Sequence, residues 1–552
     1  ICQRIKYNMA SSQPFALACE GGLDKSSSSF ELLRKPGTAT RLRNFEVDIA
    51  GGYRRINGFT VFGGSSVAKP NSDNTVLGLH VYADGVITCS GTNIYFSLDG
   101  TSWLQINRAS VAGGGDNYST FTGRSASART SQGLAHFTTY EGDTTYGEVI
   151  ITDEGSGVKP FYFKMTGSGD LDSRTYFAKE ITVSGTHYPK FCTIHDKHLV
   201  VGGAATAPNT IFYSGTSDID DFTTTGSGSI VLDDQVVGLR SFRDDLIIFC
   251  RNSIYKLVNI NISASIAVEP ITQNIGCLDG RSIQEIGGDL VFLAPDGIRT
   301  LAGTARIGDV ELSTVTRAIQ PVIKKIADNI GSFDVSSIVI RDKSQYRLYY
   351  GTSSSGTSAE GLIGTLKSTQ EGTQFQWAET FGIDASAAAA SGFNSNGVEK
   401  HYHGDYAGYV YNHDTGNSFN PAEVETNITA EYQTPDIDYG DLGTLKTLKY
   451  VKVSITPEGE VDTDLKIRYD FEDTNIPQPS DYSLSVSKPS LFANAVFGSA
   501  GAYTFGAPTD PITRQSVEGS GKSNYFRIFS NNTNDSYTVN GIYIDYVPSG
   551  RN

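Results

Sequence analysis

The sequence has few of the features that mark a membrane protein, a disulfide scaffold or a protein that grips nucleic acid. Its 552 residues include two Met, two Trp and six Cys, and no apolar run approaches the ~20 residues of a membrane span. The cysteines are widely spaced without a CxxC pair, so we expect inert thiols and synthesis in a reducing compartment. Lys and Arg number 44 against 60 Asp and Glu, a net charge of −16. That acidity disfavours binding of DNA or an anionic membrane over a whole face.

Neither the start of the chain nor any known catalytic motif points to a function. Residues 1–4 (ICQR) contain neither Met nor a hydrophobic signal region, and Met9 is a more natural start, so we expect residues 1–8 to be irrelevant to the fold. No GxSxG, HExxH or GxGxxG occurs. Residues 519–523 (GSGKS) resemble the end of a phosphate-binding loop, but Ser516 stands where that loop needs Gly.

Three groups of potential metal ligands are incomplete, because each lacks a third ligand at a defined spacing or the Glu that ends a calcium loop. They are His401 and His403 with Asp405 and His413; Asp218, Asp220 and Asp221; and Asp436, Asp438 and Asp441. We therefore expect no catalytic residues, no cofactor and no metal. A chain this long without such a signature favours a structural or interaction role over an enzyme.

Glycine and the aromatic residues are abundant. The 59 Gly, with Phe and Tyr supplying 57 aromatics, are typical of short strands joined by tight turns. Residues 235–258 and 281–301 share one pattern: strand, three-residue turn, apolar strand, three-residue turn, strand. They lie about 45 residues apart, the period of a propeller blade.

Two segments depart from that pattern. Apolar residues at helical spacing, from Val315 to Ile326, predict one helix at about 314–328, with Ser313 or Thr314 as N-cap and Pro321 inside it. From residue 426 onward, longer alternating strands predict an antiparallel β-sandwich. The predicted class is all-β: an irregular β-propeller-like domain with one short helix, plus a C-terminal antiparallel β-sandwich.

The predicted domains follow from these boundaries. They are 1–60, a basic segment that joins the propeller; 61–425, the propeller-like domain with a loop-rich insertion near 104–187; and 426–552, the sandwich. Residues 1–60 hold nine Lys or Arg and five Asp or Glu, a net +4, which leaves −20 on the other residues. Such asymmetry often marks surfaces that meet different partners.

The basic segment carries the most distinctive pattern. Residues 21–24 read GGLD, residues 35–46 read KPGTATRLRNFE and residues 51–59 read GGYRRINGF. This composite resembles the opening of the tail nozzle proteins, also called tail tubular protein B, of short-tailed bacteriophages. Segments 234–257 and 290–303 are more loosely similar to blades of that family's propeller-like domain.

The resemblance implies a structural virion protein made in the host bacterial cytoplasm and placed in the phage tail. It implies a homo-hexameric ring below the adaptor and portal, in contact with tail fibres or a distal tip. The ring's channel conducts double-stranded DNA, which passes without specific binding. An acidic lumen suits that passage, because phosphate neutralisation would create sticking points.

These expectations assign two sets of residues. The candidates for an assembly interface are Arg34, Arg41, Arg43, Tyr53, Arg54 and Arg55, because arginine forms bidentate contacts with carboxylates. The alternative is that residues 51–52 form a hairpin turn and Arg54 and Arg55 are simply exposed strand residues. Residues 423–481 hold 14 acidic and five basic residues, and the channel-lining candidates among them are Asp436, Asp438, Asp441, Glu458 and Glu460.

Two other functions remain open at this point. One is a receptor-binding propeller that binds host glycan through its loops. The other is a propeller glycoside hydrolase, which requires a convergent carboxylate pair that includes an acid of raised pKa.

Overall fold

The computed structural model describes residues 11–64, 69–72, 75–106, 133–142, 146–185, 187–262, 264–302, 315–369, 372–487 and 512–551. The protein is mostly β-strand, and the predicted all-β class with a propeller and additional antiparallel sheets is confirmed. No helix in these ranges is long and apolar enough to cross a membrane.

Residues 11–61 contribute five short strands and one α-helical turn. The strands are β1 (Gln13–Ala18), β2 (Arg41–Arg43), β3 (Phe45–Val47), β4 (Tyr53–Arg55) and β5 (Phe59–Val61). The turn, α1 (Ser29–Leu32), begins at a capping box in which Ser28 and Glu31 satisfy each other's backbone N–H.

Five successive antiparallel sheets form blades 1 to 5. Blade 1 is β6 (Val76–Tyr82), β7 (Gly85–Ser90), β8 (Asn93–Ser97) and β9 (Leu104–Gln105). Blade 2 is β10 (Ala135–Tyr140), β11 (Glu148–Asp153), β12 (Phe161–Thr166) and β13 (Thr175–Glu180). Blade 3 is β14 (Phe191–His195), β15 (His198–Ala204), β16 (Ala207–Tyr213) and β17 (Gly228–Val231). Blade 4 is β18 (Val236–Phe242), β19 (Asp245–Cys250), β20 (Ile254–Val258) and β21 (Ala267–Thr272). Blade 5 is β22 (Gln284–Ile286), β23 (Asp289–Ala294) and β24 (Gly297–Thr300).

The described residues from 315 onward supply helix α2, blade 6 and most of the sandwich strands. The helix is α2 (Gln320–Asp328). The next strands are β25 (Asp334–Ile340), β26 (Gln345–Gly351), β27 (Glu360–Thr369), β28 (Gly372–Phe381), β29 (Ala388–Phe393), β30 (Glu399–Gly404) and β31 (Val410–His413). The last are β32 (Ile428–Gln433), β33 (Thr444–Pro457), β34 (Glu460–Tyr469), β35 (Tyr482–Ser487), β36 (Ile512–Ser516), β37 (Ser520–Gly521), β38 (Asn524–Asn532) and β39 (Tyr537–Arg551).

Blade 6 is closed by a strand from the other end of the chain. It runs β29-β30-β31-β5, with Tyr411 opposite Val61. Strand β25 lies between blades 5 and 6: the Gln284 side-chain amide donates to the Ser337 carbonyl at 3.0 Å, and the Val339 amide donates to the Ser391 hydroxyl at 3.2 Å. The propeller ring therefore consists of six separate blades and of β25, which is the first strand of a larger sheet.

That larger sheet forms one face of the sandwich. Its nine strands run β25-β26-β27-β28-β2-β32-β38-β34-β35, and the opposing seven-stranded sheet runs β3-β4-β39-β33-β36 with β1 on β39 and β37 on β33. The Tyr53 ring of one sheet meets the Tyr432 ring of the other at 4.8 Å between centroids. Alternating buried side chains of both sheets fill the space between them.

Three predictions about organisation need correction. The region predicted as a loop-rich insertion near 104–187 contains blade 2, whose unequal connections hide it from an argument based on repeat period. Residues 1–60 do not join the propeller alone, since β1 to β4 belong to the two sandwich sheets. The boundary at 426 does not separate sheets either, because β25 to β28 continue into β32 through β2.

The helix is confirmed with a later start than predicted. A 3-10 turn covers Arg317–Ile319, and α2 begins at Gln320 with Pro321 in its first turn. Proline suits that position because the first helical N–H groups have no intrahelical partner. Val322, Ile323 and Ile326 face the core as the spacing predicts, whereas the predicted caps Ser313 and Thr314 lie outside the described residues.

Candidate functional site

Tyr53, a predicted interface residue, lies in the protein core. It is fully buried, and its hydroxyl lies 2.8 Å from the carbonyls of Glu20 and Gly37 while accepting the Gly22 amide at 3.1 Å. These bonds hold the residues around β1 against β4. The assignment of Tyr53 to a subunit interface is therefore wrong.

Arg55 is also an internal residue. Its side chain is fully buried, and its guanidinium donates to the Asn532 carbonyl at 2.6 Å, to the Asn417 carbonyl at 3.4 Å and to the Asn534 carbonyl. Burial lowers its pKa. Arg55 thus ties β4 to the loops after β31 and β38, and neither the interface nor the exposed-strand interpretation holds for it.

Arg54, another predicted interface residue, binds two carboxylates of its own chain, and one of them bidentately. Its Nε and Nη2 atoms donate to the two oxygens of Glu458 at 2.5 and 2.8 Å, and Nη1 donates to Glu46 at 2.9 Å. Burial favours the neutral guanidine, but the hydrogen bonds and charges of Glu458 and Glu46 outweigh it and raise the Arg54 pKa. A predicted interface residue and a predicted channel residue are thus each other's partners.

Glu46 belongs to a buried ionic network between β3, β26 and the end of β31. Glu46 Oε2 accepts from Arg347 at 2.8 Å, and Arg347 also donates to Asp414 Oδ1 at 3.1 Å. Lys343 lies 3.0 Å from Glu46 and 2.7 Å from Asp414. Burial opposes ionisation of Glu46, but Lys343 and Arg347 keep its pKa below the usual range. The network, hereafter the junction network, joins both sandwich sheets to blade 6.

The histidines predicted as weak metal candidates join this network. His413 Nε2 lies 2.8 Å from the Tyr349 hydroxyl and 3.1 Å from Arg347, and its Nδ1 lies 3.2 Å from Nδ1 of His403. His401 pairs with Glu399 at 3.5 Å instead. Within the described residues, no three His, Cys, Asp or Glu side chains converge as metal ligands.

The other incomplete motifs also have local roles. Asp220 pairs with Lys179, and Asp221 accepts the amide of Thr223 at 2.6 Å. In the glycine-rich stretch 519–523, the Lys522 amide donates to Asp470 at 2.7 Å. These are the contacts of polar turns.

The remaining predicted arginines are exposed. The Arg41 side chain is 51% exposed and lies 3.2 Å from Glu431. Arg43 lies over the Phe381 ring at 5.7 Å and lines a groove of about 300 Å³ with Lys25 and Lys325. Arg34 is exposed as well.

The five acidic candidates fall into two groups at opposite ends of β33. Asp436, Asp438 and Asp441 precede this strand, and Glu458 and Glu460 follow it. The strand has 14 residues, so the groups lie roughly 45 Å apart at about 3.3 Å per residue. Burial and the nearby Asp470 and Glu472 raise the Asp436 pKa to about 6. The first group holds more acidic than basic charge, since Lys446 is the cation near Asp438, Asp441 and Asp470. Glu458, in the second group, is paired with Arg54.

Sequence reasoning missed a cavity of about 430 Å³ beside blade 6, because its lining comes from distant segments. Asp384, Asp405, His403 and Phe419 line it. The Asp384 Oδ1 atom is buried without a hydrogen-bond partner among the described residues, and burial and then Asp405 raise its pKa to about 7. Asp405 is occupied, however: it accepts the Tyr409 amide at 2.8 Å and the Tyr411 hydroxyl at 2.7 Å. Asp384 and Asp405 thus bring two carboxyl groups to one cavity, and that of Asp405 is held by hydrogen bonds.

The free energy of unfolding of the Asp384→Asn variant, relative to that of the wild type, should rise as the pH increases from 5 to 8. The folded pKa of about 7 lies above the unfolded value of about 3.9. The folded state therefore holds the proton more tightly, and ionisation above pH 4 lowers stability until about pH 7. Asn has no such titration, so urea unfolding at both pH values should show the variant gaining on the wild type.

The matched control is Asp328→Asn, which removes a carboxylate on the exposed face of α2 that lies 3.0 Å from Lys324. Its effect on the free energy of unfolding should be the same at both pH values. Equal effects of Asp384→Asn at pH 5 and pH 8 would contradict the raised pKa.

Comparison with known proteins adds little. No family model matches the chain, and no curated protein matches it. Among solved structures, an exo-β-1,3-galactanase from Phanerochaete chrysosporium with galactose is similar over 89% of this chain and 100% of its own, at 6% identity and a TM-score of 0.26. RAG in complex with one melted and one unmelted RSS is similar over 63% of this chain and 96% of its own, at 9% identity and a TM-score of 0.32. TM-scores this low carry no argument about function.

Proposed function

We propose that this protein is the subunit of a bacteriophage tail nozzle. Six copies form a ring in the virion tail, between the adaptor and the tail fibres or distal tip, and DNA crosses the ring during ejection. The observation that carries the proposal is the position of the nozzle-like N-terminal pattern. Its Tyr53 and Arg54 hold parts of the sandwich together, and its Arg55 joins the sandwich to the loop after β31 of blade 6, so the resemblance lies in residues that build the architecture.

The DNA path in this proposal runs between subunits. The propeller axis holds a cavity of only about 250 Å³, which cannot admit a duplex whose major groove alone is about 12 Å wide. A channel for DNA therefore requires several copies around a common axis, which a ring provides.

The distribution of acidic residues supports a particular orientation of the subunit. Asp436, Asp438 and Asp441 share one end of the sandwich with Asp470 and Glu472. We assign this end to the lumen, because concentrated negative charge repels the phosphate backbone and allows DNA to slide. Glu458 and Glu460, at the other end of β33, are less suited because Arg54 already neutralises Glu458.

The decisive experiment is to determine the mass of the purified protein alone and after mixing with the adaptor–portal complex of the same phage. We expect six copies bound to that complex, seen by negative-stain imaging as a hollow ring. The Arg34→Gln/Arg43→Gln variant should bind more weakly without loss of stability, because both side chains are exposed. Lys324→Gln, on the exposed face of α2, is the matched control and should assemble normally. A protein that stays monomeric and unbound in both samples would overturn the proposal.

A further inference from the structure

A strained turn displays an aromatic side chain at the acidic end of the sandwich. It follows β34 and consists of Asp470, Phe471 and Glu472, whose φ angles are 50°, 57° and 59°. Three consecutive left-handed residues without a glycine are unfavourable, because each Cβ atom crowds the following carbonyl oxygen. Phe471 is 48% exposed, so burial of its ring within the chain does not offset this cost.

The rest of the fold holds the turn in place. The Asp470 carboxylate accepts the Lys522 amide at 2.7 Å, and the Tyr525 hydroxyl donates to Glu472 at 2.8 Å. Strained backbone that its surroundings hold in place is concentrated at sites that bind a partner. We call the exposed Phe471 ring, together with the carboxylates on either side of it, the knob.

The groove beside α2 has the complementary chemistry. It measures about 300 Å³. Apolar side chains and three cations line it: Pro321, Val322 and Phe381, and Lys25, Arg43 and Lys325. The two lysines have carboxylate partners in the groove, at 2.5 and 2.6 Å. Arg43 is exposed, and its guanidinium lies 5.7 Å from the Phe381 ring without a carboxylate partner among the described residues. Phe381 is itself 38% exposed, so the groove offers a partner an aromatic ring and a cation.

The knob and the groove of one chain are too far apart to meet. Strand register places Arg43 of β2 in one row with Asp464 of β34, through β32 and β38, and three strand spacings amount to about 14 Å. The turn begins at Asp470, about 20 Å further along β34. Complementary features this far apart on one subunit pair between copies, in a head-to-tail contact of the kind that builds rings.

We propose that Phe471 of one copy inserts into the groove of the next copy, against Phe381, and that Arg43 binds the carboxylates of the knob. Contacts between two aromatic rings and charge-assisted hydrogen bonds from arginine are both strong for their size. The contact rests on the ring of the proposed function and names the surfaces that join its copies. Asp438 and Asp441 precede β33, a strand of the opposing sheet, so they stay free to face the lumen.

The test is sedimentation velocity of the full chain over a concentration series, with urea unfolding of the same samples. Phe471→Gly should weaken self-association at least about tenfold, a loss typical of an aromatic residue at the centre of an interface. It should unfold at the same or a higher urea concentration, because glycine adopts positive φ without strain. Phe471→Tyr should associate as the wild type does. So should the matched control Phe393→Ser, which removes a 54% exposed ring from β29.

A mixture of two variants tests the head-to-tail arrangement. Arg43→Glu disables the groove, whereas Phe471→Gly removes the knob, so each variant alone should stay monomeric at concentrations where the wild type associates. Mixed in equal amounts, the two should form dimers and nothing larger, because one intact knob then meets one intact groove.

Three results would overturn this contact. They are a wild type that stays monomeric on its own, a Phe471→Gly variant that associates like the wild type, and a Phe471→Gly variant that loses stability together with association. The last would show that the ring packs within its own subunit. The nozzle proposal still stands after any of these if six copies bind the adaptor–portal complex. Self-association through knob and groove without binding to that complex would support the contact and count against the nozzle.

Discussion

Replacing Arg347 with Met should lower the free energy of unfolding by about 3–5 kcal/mol, the cost of breaking a buried ion pair from one side. Arg347 is fully buried, and its removal leaves Glu46 and Asp414, whose side chains are 2% and 8% exposed, without their main counter-charge. Lys343 remains near both carboxylates but is partly exposed, so it compensates only in part. Guanidinium unfolding followed by Trp fluorescence measures the loss, because Trp377 is buried in the same core.

Two further variants separate charge from packing. Lys324→Met breaks an exposed pair with Asp328 and should cost no more than about 0.5 kcal/mol. Adding Glu46→Gln to Arg347→Met should recover part of the lost stability, because one stranded carboxylate is removed. A loss below about 1 kcal/mol for Arg347→Met would show that the junction network contributes little.

Gly58→Ala should be the most damaging single-methyl change in the N-terminal segment. A Cβ at Gly58 would lie 1.7 Å from the carbonyl oxygen of Ser418 and 2.4 Å from its carbon. Both contacts are with backbone, which cannot rotate away as a side chain can. The expected cost is about 3 kcal/mol or more, at the upper end for overpacking.

The structural consequence should be loss of β5 from blade 6. The Gly58 amide donates to the Gly416 carbonyl at 2.9 Å, and the Phe59 amide donates to Ser418 at 3.2 Å. Displacement of this contact should free the Phe62 amide, which donates to the Val410 carbonyl at 2.8 Å, so its hydrogen exchange should accelerate. Gly331→Ala is the matched control, since no atom lies within 4 Å of its Cβ position. A Gly58→Ala protein as stable as the control would show that the loop around Ser418 can move.

Arg347→Met and Gly58→Ala both act near the connection between the propeller and the sandwich. Gly58 lies where the first and last strands of the propeller meet, and the junction network lies where blade 6 meets the sandwich. If the nozzle proposal is correct, this connection keeps the two parts of each subunit in a fixed orientation while DNA passes.

The arginines illustrate how far sequence reasoning about the site can go. The sequence assigns Arg54 to an assembly interface for its bidentate binding of carboxylates, and it does bind one in this way, because guanidinium chemistry is intrinsic to the residue. The carboxylate belongs to its own chain. The identity of the partner could not be predicted, since Glu458 is 404 residues away in the sequence. For Arg55, only the folded chain shows that backbone carbonyls surround it.

The cavities were beyond sequence reasoning for the same reason. Asp384 looks like an ordinary acidic residue in the sequence, and its raised pKa comes from burial and from the nearby Asp405. The acidic candidates were grouped by sequence proximity, yet the long strand β33 places them at opposite ends of the sandwich.

The sequence by itself determined the strand content, many of the turns, helix α2 and the acidic character of this protein. These depend on local backbone preferences, on side-chain alternation and on composition, all of which act over a few residues. Only the tertiary structure decided which strands share a sheet, which charges are buried and where the cavities lie. Strand pairing joins β1 to β39 and β5 to β31 across hundreds of residues, and a pKa depends on whatever that pairing brings within a few ångströms.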